Sequence, residues 1–212
     1  LIDTYPDVDI RCISTRNQGV ANARNTGIKA SRGAFILPLD ADDRLEPDFL
    51  RATLDALTRS ASDDIAFTDL HFFGHLQTEV RCGPFDLATL SRSNTIPYCS
   101  LFRRRLFDTV GGYRQEAQGY CDWDFWIAAA TNGYRAIHIP RPLFAYRKAG
   151  PSMIDEATRD DARLRAVITA RHNAIYPPEQ VARARELLAH ASTQSSPPDG
   201  HERRQHHLVH LR

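Results

Sequence analysis

The sequence is short of lysine, methionine and long apolar runs. Lys29 and Lys148 are the only lysines among 212 residues, and Met153 is the one methionine. Lysine and arginine together number 27 against 26 acidic residues, so the net charge is only +1. This balance excludes the general basic surface that non-specific nucleic-acid binders need. No run approaches the ~18 apolar residues of a membrane-spanning helix and no signal peptide opens the chain, so we expect no transmembrane segment.

Cysteine is also scarce. The four cysteines lie far apart and lack the spacing of metal ligands: Cys12, Cys82, Cys99 and Cys121. We interpret them as buried free thiols of a cytoplasmic protein, with the inner face of the membrane as an alternative location. The chain begins at Leu1 rather than at methionine. We therefore expect that sequence upstream is missing.

The apolar pattern of the first 150 residues predicts alternating strands and helices. Residues 8–15 predict a strand and residues 17–31 a helix. Residues 34–40, AFILPLD, form a short continuous apolar run that is typical of a parallel strand covered on both faces. Further helices are predicted over 47–60, 103–110 and 121–133, and further strands over 64–73, 97–102, 134–140 and 142–147. This order predicts an α/β domain over residues 1–150.

The character of the sequence changes after residue 150. Residues 151–192 predict two amphipathic helices with no strand between them, a helical extension that we expect to pack on the domain as a cap or hairpin. Residues 193–212 are polar and rich in histidine, and they predict a flexible tail. The spacing of the tail histidines is irregular, which does not favour a metal site.

Three carboxylates follow the apolar run AFILPLD: Asp40, Asp42 and Asp43. Ligands of open α/β sheets gather beyond the carboxyl ends of strands. In an extended segment Asp40 and Asp42 would point the same way, and their mutual repulsion would be relieved by a hard cation such as Mn²⁺ or Mg²⁺. Two alternatives remain on spacing alone: a solvated turn that caps the next helix, and a phosphatase with an aspartyl nucleophile.

Several motifs occur together in one order. They are NQGVANARNTGIKASRGAFILPLDADDRLEPDFL (17–50), SLFRRRLFDTVGGY (100–113), GYCDWDFWIAAATNGYR (119–135) and PLFAYRKAGPSM (142–153). In this arrangement the chain resembles the family 2 glycosyltransferases with the GT-A fold over about residues 5–153. The resemblance implies a GT-A-like, Rossmann-like mixed sheet flanked by helices. It also implies that the N-terminal nucleotide-binding strands of the family are absent from this chain.

The resemblance assigns roles on the donor side of the site. Arg24 would lie near the nucleotide base, and Asp40 near the ribose and diphosphate. Asp42 would be the principal ligand of Mn²⁺ or Mg²⁺, with Asp40 beside it. Asn17 and Asn25 would fix the loop and helix rather than touch the donor. Asp43 would only cap, and Arg147 would either approach the phosphates or be an ordinary surface arginine.

On the acceptor side, the resemblance makes Asp122 the catalytic base. Cys121 stands where the family more commonly has glutamate, which affects the expected acceptor contacts. A carboxylate in the first turn of a helix is favoured in its ionised form by the helix dipole. The alternative is that Asp122 is a simple helix cap with a solvated Asp124 beside it. We expect Trp126 in the core, and leave Trp123 open between core and sugar-stacking surface.

The implied activity is transfer of a sugar from a nucleotide-diphospho-sugar to an acceptor hydroxyl, with inversion at the anomeric carbon. A UDP-sugar is the expected donor, and a saccharide or lipid-linked acceptor, as in the synthesis of cell-envelope polysaccharides, is the expected partner. The main alternative is a non-catalytic remnant of a glycosyltransferase. The phosphatase is a weaker alternative because the motif lies far from the position that this class uses.

Overall fold

A computed structural model describes residues 8–148, 158–194 and 207–210 of the chain. Its strands are β1 (Arg11–Ser14), β2 (Phe35–Ile36), β3 (Arg44–Leu45), β4 (Ile65–Gly74), β5 (Thr78–Val80), β6 (Leu101–Arg103), β7 (Ala136–Lys148) and β8 (His207–His210). The helices are α1 (Gly19–Ala30), α2 (Phe49–Arg59), α3 (Leu87–Leu90), α4 (Arg104–Val110), α5 (Cys121–Thr131), α6 (Asp161–Arg171) and α7 (Pro178–Gln194). A short 3₁₀ turn, Asn173–Ile175, joins the last two helices.

One mixed sheet of six strands forms the centre of the fold. Its order is β2-β6-β4-β7-β3, and β5 pairs with β4 beside that path. The strand β4 runs parallel to β7 and antiparallel to β5 and β6. The register between β4 and β7 shifts around Asp69, which marks a bulge. The mixed sheet with helices packed on it confirms the predicted fold class.

The short apolar run before the acidic residues differs from its prediction. Only Phe35 and Ile36 form a strand, and they pair antiparallel with β6, so the prediction of a parallel strand over 34–40 was wrong. Pro38 has no N–H to donate to a ladder, which limits the strand on its carboxyl side. The chain then continues as an irregular loop to the acidic residues. Similarly, the two strands predicted over 134–147 are one continuous strand of 13 residues, β7.

Aromatic rings fill the space between the sheet and helix α5. Phe102 of β6 lies 5.4 Å from the ring of Phe125 and 6.0 Å from that of Trp126. Trp126 is fully buried, which confirms its place in the core, and Trp123 is buried as well. Because α5 is anchored by these rings along its length, its first turn has a fixed position against the sheet.

The extension contributes two helices that pack on each other, and the first of them, α6, also packs on α5. Ile168 of α6 belongs to the same apolar core as α5. Asp124 of α5 is fully buried and accepts hydrogen bonds from Arg171 Nη1 at 2.6 Å and His172 Nε2 at 2.8 Å. The alternative in which Asp124 is solvated beside a capping Asp122 is therefore excluded for Asp124. The predicted helices are present, although part of the first, residues 151–157, lies outside the described residues.

The end of the chain is described only in part. Within the predicted tail, residues 207–210 form β8, which pairs antiparallel with β1 in a separate two-stranded sheet. The rest of the tail beyond Gln194, including His201 and His206, lies outside the described residues. Over the ranges that are described, no helix is long and apolar enough to cross a membrane.

Three of the four cysteines follow the prediction of a buried thiol. Cys99 and Cys121 are buried and Cys82 is half-buried, and all are free. Cys12 is exposed, so the prediction was wrong for this residue. It lies in β1, where alternate residues turn toward solvent.

Candidate functional site

The acidic residues lie in a tight turn between β2 and β3. The N–H of Asp43 donates to the carbonyl oxygen of Asp40 at 3.1 Å. The segment is therefore not extended, and the expectation that Asp40 and Asp42 point the same way for that reason was wrong. Their carboxylates instead differ in surroundings, since Asp40 is half-buried and Asp42 is exposed. The turn separates the three carboxylates into three different environments.

Asp40 is held by a buried arginine. Arg24 of α1 donates through Nη2 to both carboxylate oxygens of Asp40, at 3.1 Å each. The guanidinium lies 4.3 Å from the ring centre of Tyr98 and 5.6 Å from that of Tyr113, which are distances of cation–π contact. Burial lowers the pKa of Arg24, but the acidic groups around it, Asp40 foremost and Asp122 among them, together outweigh burial, and the pKa is raised. The arginine therefore stays charged inside the protein.

The sequence suggested that Asp43 caps helix α2, but in the structure its carboxylate has other partners. Its Oδ2 accepts from the hydroxyl of Tyr98 at 2.6 Å, and its Oδ1 accepts from the N–H of Arg147 at 2.7 Å. The same Tyr98 hydroxyl accepts from the N–H of Asp40 at 2.9 Å. Burial raises the pKa of Asp43 to about 6, and the two hydrogen bonds act against the shift. Tyr98 thus fastens both ends of the acidic turn to the core.

Asp42 is exposed and carries no hydrogen bond or ion pair in the described part of the chain. No cluster of three or more His, Cys, Asp or Glu side chains placed for a metal occurs among the described residues. Mg²⁺ and Mn²⁺ do not require such a cluster, because one or two carboxylates with phosphate oxygens and waters complete their shells. The donor set of Asp42 with a partly engaged Asp40 therefore fits a divalent ion.

Asp122 lies in the first turn of α5, where the sequence placed it. Its Oδ2 accepts from Asn94 Nδ2 at 2.8 Å. Burial raises the pKa of Asp122, while the charge of Arg24, the N–H of Trp123 and the amide of Asn94 lower it. The net shift is upward. Burial therefore outweighs these three groups, and the carboxylate is a stronger base than a solvated aspartate.

Arg24 connects the acidic turn with the first turn of α5. Besides its bonds to Asp40, its Nη1 points at the sulfur of Cys121 at 3.9 Å. Its charge also acts on Asp122. Burial raises the pKa of Cys121 to about 12, so this residue is a neutral thiol. Asp40 is consequently the ion-pair partner of Arg24 in the described structure, and Cys121 adds no charge.

Two asparagines support the site without facing it. Asn25 Nδ2 donates to the carbonyl oxygen of Tyr113, and Asn25 Oδ1 accepts from its N–H, both at 2.8 Å. Asn17 Oδ1 accepts from the N–H of Gly19 at 3.1 Å, at the start of α1. A side chain at Gly112, where φ is +82°, would place its Cβ 2.6 Å from Asn25 Oδ1. These contacts agree with the structural role expected for the asparagines.

The side chain of Arg147 is exposed and does not contact the acidic residues in the described structure. Its guanidinium lies 5.4 Å from the ring centre of Phe73, and that of Arg44 lies 4.8 Å from the same ring. It is the backbone N–H of Arg147 that reaches Asp43. Two arginines therefore border the acidic turn on the side of β3 and β7.

Comparison with known proteins identifies the family. The profile of Glycosyl transferase family 2 matches residues 2–111, which is more than half of the chain. The chain belongs to the family 2 glycosyltransferases. The match includes Arg24 and the acidic turn, and it ends before α5. Family membership sets aside the phosphatase alternative.

Curated relatives of the chain include other glycosyltransferases. An uncharacterized glycosyltransferase, YwdF of Bacillus subtilis, is 26% identical over 156 residues, covering 69% of this chain and 58% of YwdF. A PGL/p-HBAD biosynthesis glycosyltransferase of Mycobacterium tuberculosis is 33% identical over 132 residues, covering 60% of this chain and 50% of the relative. The chain thus spans 58% and 50% of the length of these two relatives.

Solved structures show the same fold at low sequence identity. S. aureus TarS in complex with UDP has a TM-score of 0.52 and 17% identity, covering 72% of this chain and 46% of the TarS chain. The mannosyltransferase PcManGT of Pyrobaculum calidifontis, in complex with GDP-Man and Mn²⁺, has a TM-score of 0.50 and 20% identity. The match covers 87% of this chain and 57% of the PcManGT chain. These similarities confirm the glycosyltransferase fold of the chain.

Two polar residues near the site were missed from the sequence. Tyr98 was assigned only to a predicted strand, and Asn94 lies in a loop with no motif. Tyr98 lies in the buried stretch 96–100, and a tyrosine within a buried run needs a partner for its hydroxyl. That requirement was a usable signal for Tyr98. Nothing in the sequence around Asn94 indicates its contact with a residue 28 positions later.

Proposed function

We propose that this protein transfers a sugar from a nucleotide-diphospho-sugar to an acceptor hydroxyl, with inversion and with the help of a divalent cation. The observation that carries the proposal is the arrangement around Arg24. This buried cation binds Asp40 of the acidic turn and acts electrostatically on Asp122 of α5. A free carboxylate, a half-buried base and a fixed positive charge thus belong to one site.

Asp122 is the proposed base. Its Oδ2 accepts from Asn94, and the carboxylate would take the proton of an acceptor hydroxyl as the oxygen attacks the anomeric carbon. The raised pKa of Asp122 makes it a stronger proton acceptor, provided that it is ionised. The rate of sugar transfer should therefore fall as the pH drops through the pKa of Asp122, because protonation removes the base.

Asp42, with Asp40 beside it, would hold the divalent ion against the diphosphate of the donor. When bound, a Mn²⁺ or Mg²⁺ ion would neutralise the negative charge that develops on the leaving diphosphate. The exposure of Asp42 and its lack of a partner in the described structure support this role. Asp43 is instead committed to Tyr98 and the backbone of Arg147, and we assign it to holding the turn.

The names of related proteins guide the choice of substrates to test. TarS was solved with UDP, and PcManGT with GDP-Man and Mn²⁺. Relatives also include a chondroitin synthase of Escherichia coli and a succinoglycan biosynthesis protein of Rhizobium meliloti. We therefore propose a UDP-sugar or GDP-sugar donor, and a saccharide or a lipid-linked saccharide as acceptor.

The proposal is tested by incubating the purified protein with UDP- and GDP-sugars, Mn²⁺ or Mg²⁺, and a panel of saccharide acceptors. Release of nucleoside diphosphate detects turnover, and NMR of the product gives its anomeric configuration. We expect turnover that chelation abolishes and an inverted product. Asp42→Asn should reduce turnover strongly, whereas Asp55→Asn, a change of an exposed carboxylate on α2, should leave it unchanged.

Three outcomes would contradict parts of the proposal. A product with retained configuration would exclude direct displacement by an acceptor activated at Asp122. Equal metal dependence of the Asp42→Asn and wild-type proteins would exclude Asp42 as the ligand. Binding of donors without any turnover would favour the non-catalytic remnant.

A further inference from the structure

The segment that carries Asn94 is fixed at three points, each two residues from the next. The carbonyl oxygen of Leu90 accepts from Trp123 Nε1 at 2.6 Å. The carbonyl oxygen of Arg92 accepts from Arg165 Nη1 of α6 at 2.9 Å. Asn94 Nδ2 then donates to the carboxylate of Asp122 at 2.8 Å. One of the three points is thus supplied by the helical extension.

Arg165 also contacts the helix that carries the base. Its guanidinium lies 4.9 Å from the ring centre of Trp123, next to Asp122 in the chain. Its Nε donates to both oxygens of Asp161, at 2.8 and 2.9 Å, one turn earlier on α6. Asp161 in turn accepts from the hydroxyl of Tyr120 at 2.7 Å, directly before α5. Arg165 therefore bridges the Asn94 segment and the start of α5.

From this geometry we propose that Arg165 is a positioning residue of the acceptor side, which acts through the carbonyl of Arg92 to set the amide of Asn94 against Asp122. The inference rests on the proposed function, because it takes Asp122 to be the base. It gives the helical extension a part in the reaction that the family motifs do not indicate. Arg165 itself need not touch either substrate.

The contacts of Arg165 are not needed for the stability of the fold. The Arg165 side chain is 46% exposed, and the ion pair that it forms with Asp161 lies at the surface. Exposed pairs of this kind contribute little to folding, about 1 kcal/mol or less. Removing Arg165 should therefore leave the fold intact while it releases the carbonyl of Arg92. A displacement of about 1 Å in a catalytic group is enough to lower a rate up to about a hundredfold.

The hydrogen bond from Asn94 links the position of Arg165 to the pKa of Asp122. The groups that act on its carboxylate are Arg24 from α1, the backbone N–H groups of Asp122 itself and of Trp123, and Asn94 from the loop; the neutral thiol of Cys121 lies next to it in the chain. The carboxylate also acts on Tyr113 before α5 and Tyr146 of β7. Of these, Asn94 is the group whose position depends on the bond to Arg165. Loss of the hydrogen bond from Asn94 should move the acid limb of the pH–rate profile to higher pH, since the amide stabilises the ionised form of Asp122.

A double-mutant cycle tests the proposal. We expect Arg165→Ala to lower kcat/KM about tenfold and to shift the acid limb of the pH profile upward, and Asn94→Ala to do at least as much. The double variant should be no worse than Asn94→Ala alone, because Arg165 acts through Asn94. Arg165→Lys, which keeps a donor for the carbonyl, should recover part of the rate. Arg163→Ala is the matched control, because this α6 arginine pairs with Asp160.

Two results would overturn the proposal: Arg165→Ala behaving like Arg163→Ala, or the losses of the two single variants multiplying in the double variant. Hydrogen exchange provides a readout that does not need turnover. Arg165→Ala should speed exchange of the amides in residues 90–96 relative to Arg163→Ala. If the wild-type protein transfers no sugar, the proposed function fails while this exchange result still decides the positioning role. Unchanged exchange in residues 90–96 would contradict it.

Discussion

Replacement of Asp40 by asparagine should destabilise the protein more than replacement of its partner, Arg24, by glutamine. The two partners differ in exposure, since the Arg24 side chain is 9% exposed and that of Asp40 is 39% exposed. Asp40→Asn leaves a guanidinium in the core without the carboxylate that binds it. Arg24→Gln leaves a carboxylate that water can reach.

The magnitudes follow from this asymmetry. Breaking a buried ion pair so that one charge stays buried costs about 3–5 kcal/mol, and we expect Asp40→Asn to lie near the lower end because Asp122 also acts on Arg24. Arg24→Gln loses charge-assisted hydrogen bonds and the contact with the Tyr98 ring, together about 2 kcal/mol. The double variant should be more stable than Asp40→Asn alone, because the buried charge is then absent.

Urea unfolding at neutral pH measures these differences as shifts in midpoint at constant slope. The control is Asp55→Asn, which changes an exposed carboxylate of α2 and should shift the midpoint little. If Arg24→Gln proved more destabilising than Asp40→Asn, the buried charge of Arg24 would not depend on Asp40. The electrostatic description of the site would then be wrong.

Three other substitutions act on separate contacts of the site. Tyr98→Phe removes the hydroxyl that joins Asp40 to Asp43. We expect the KM for the donor to rise about tenfold, a loss of about 1.4 kcal/mol, and the pKa of Asp43 to rise above about 6. An unchanged KM for the donor would contradict the role of Tyr98 in holding the acidic turn. Asp124→Ala leaves Arg171 and His172 without their shared carboxylate and should cost about 3–5 kcal/mol in urea unfolding, whereas Asp108→Ala on α4 should cost little. Gly112→Ala puts a side chain at φ +82° and against Asn25, and should lower the melting temperature; an unchanged value would show that the Asn25 contact yields easily.

The elements with strong periodicity could be predicted from the sequence. Helix α5 and strand β4 lie within a few residues of their predicted positions, because each has a long, mostly apolar stretch bounded by polar or glycine residues. Strands β3 and β5 have two and three residues and were not predicted. Such short strands exist because a neighbouring strand offers an edge, which is a tertiary effect.

The chemistry of single residues could be predicted less well than the motifs. The sequence indicated that Asp40 and Asp122 belong to one site, but not that Arg24 joins them, since that contact depends on how α1 and α5 pack. It also left a solvated Asp124 open as an alternative, because the hydrogen-bond donors to Asp124, Arg171 and His172, lie at the end of α6, about 47 residues later. Contacts between distant segments decide both cases, and periodicity carries no information on them.

The most direct test of the central claim compares the transfer rates of Asp122→Asn and Asp108→Asn with that of the wild-type protein, at saturating donor and acceptor. Asn at position 122 keeps the size of the side chain and a partner for Asn94, but it cannot accept a proton. We predict that transfer by Asp122→Asn falls by a factor of about 10² to 10⁴, the range of general base catalysis, while Asp108→Asn keeps the wild-type rate. Transfer by Asp122→Asn at the wild-type rate would show that Asp122 is not the base.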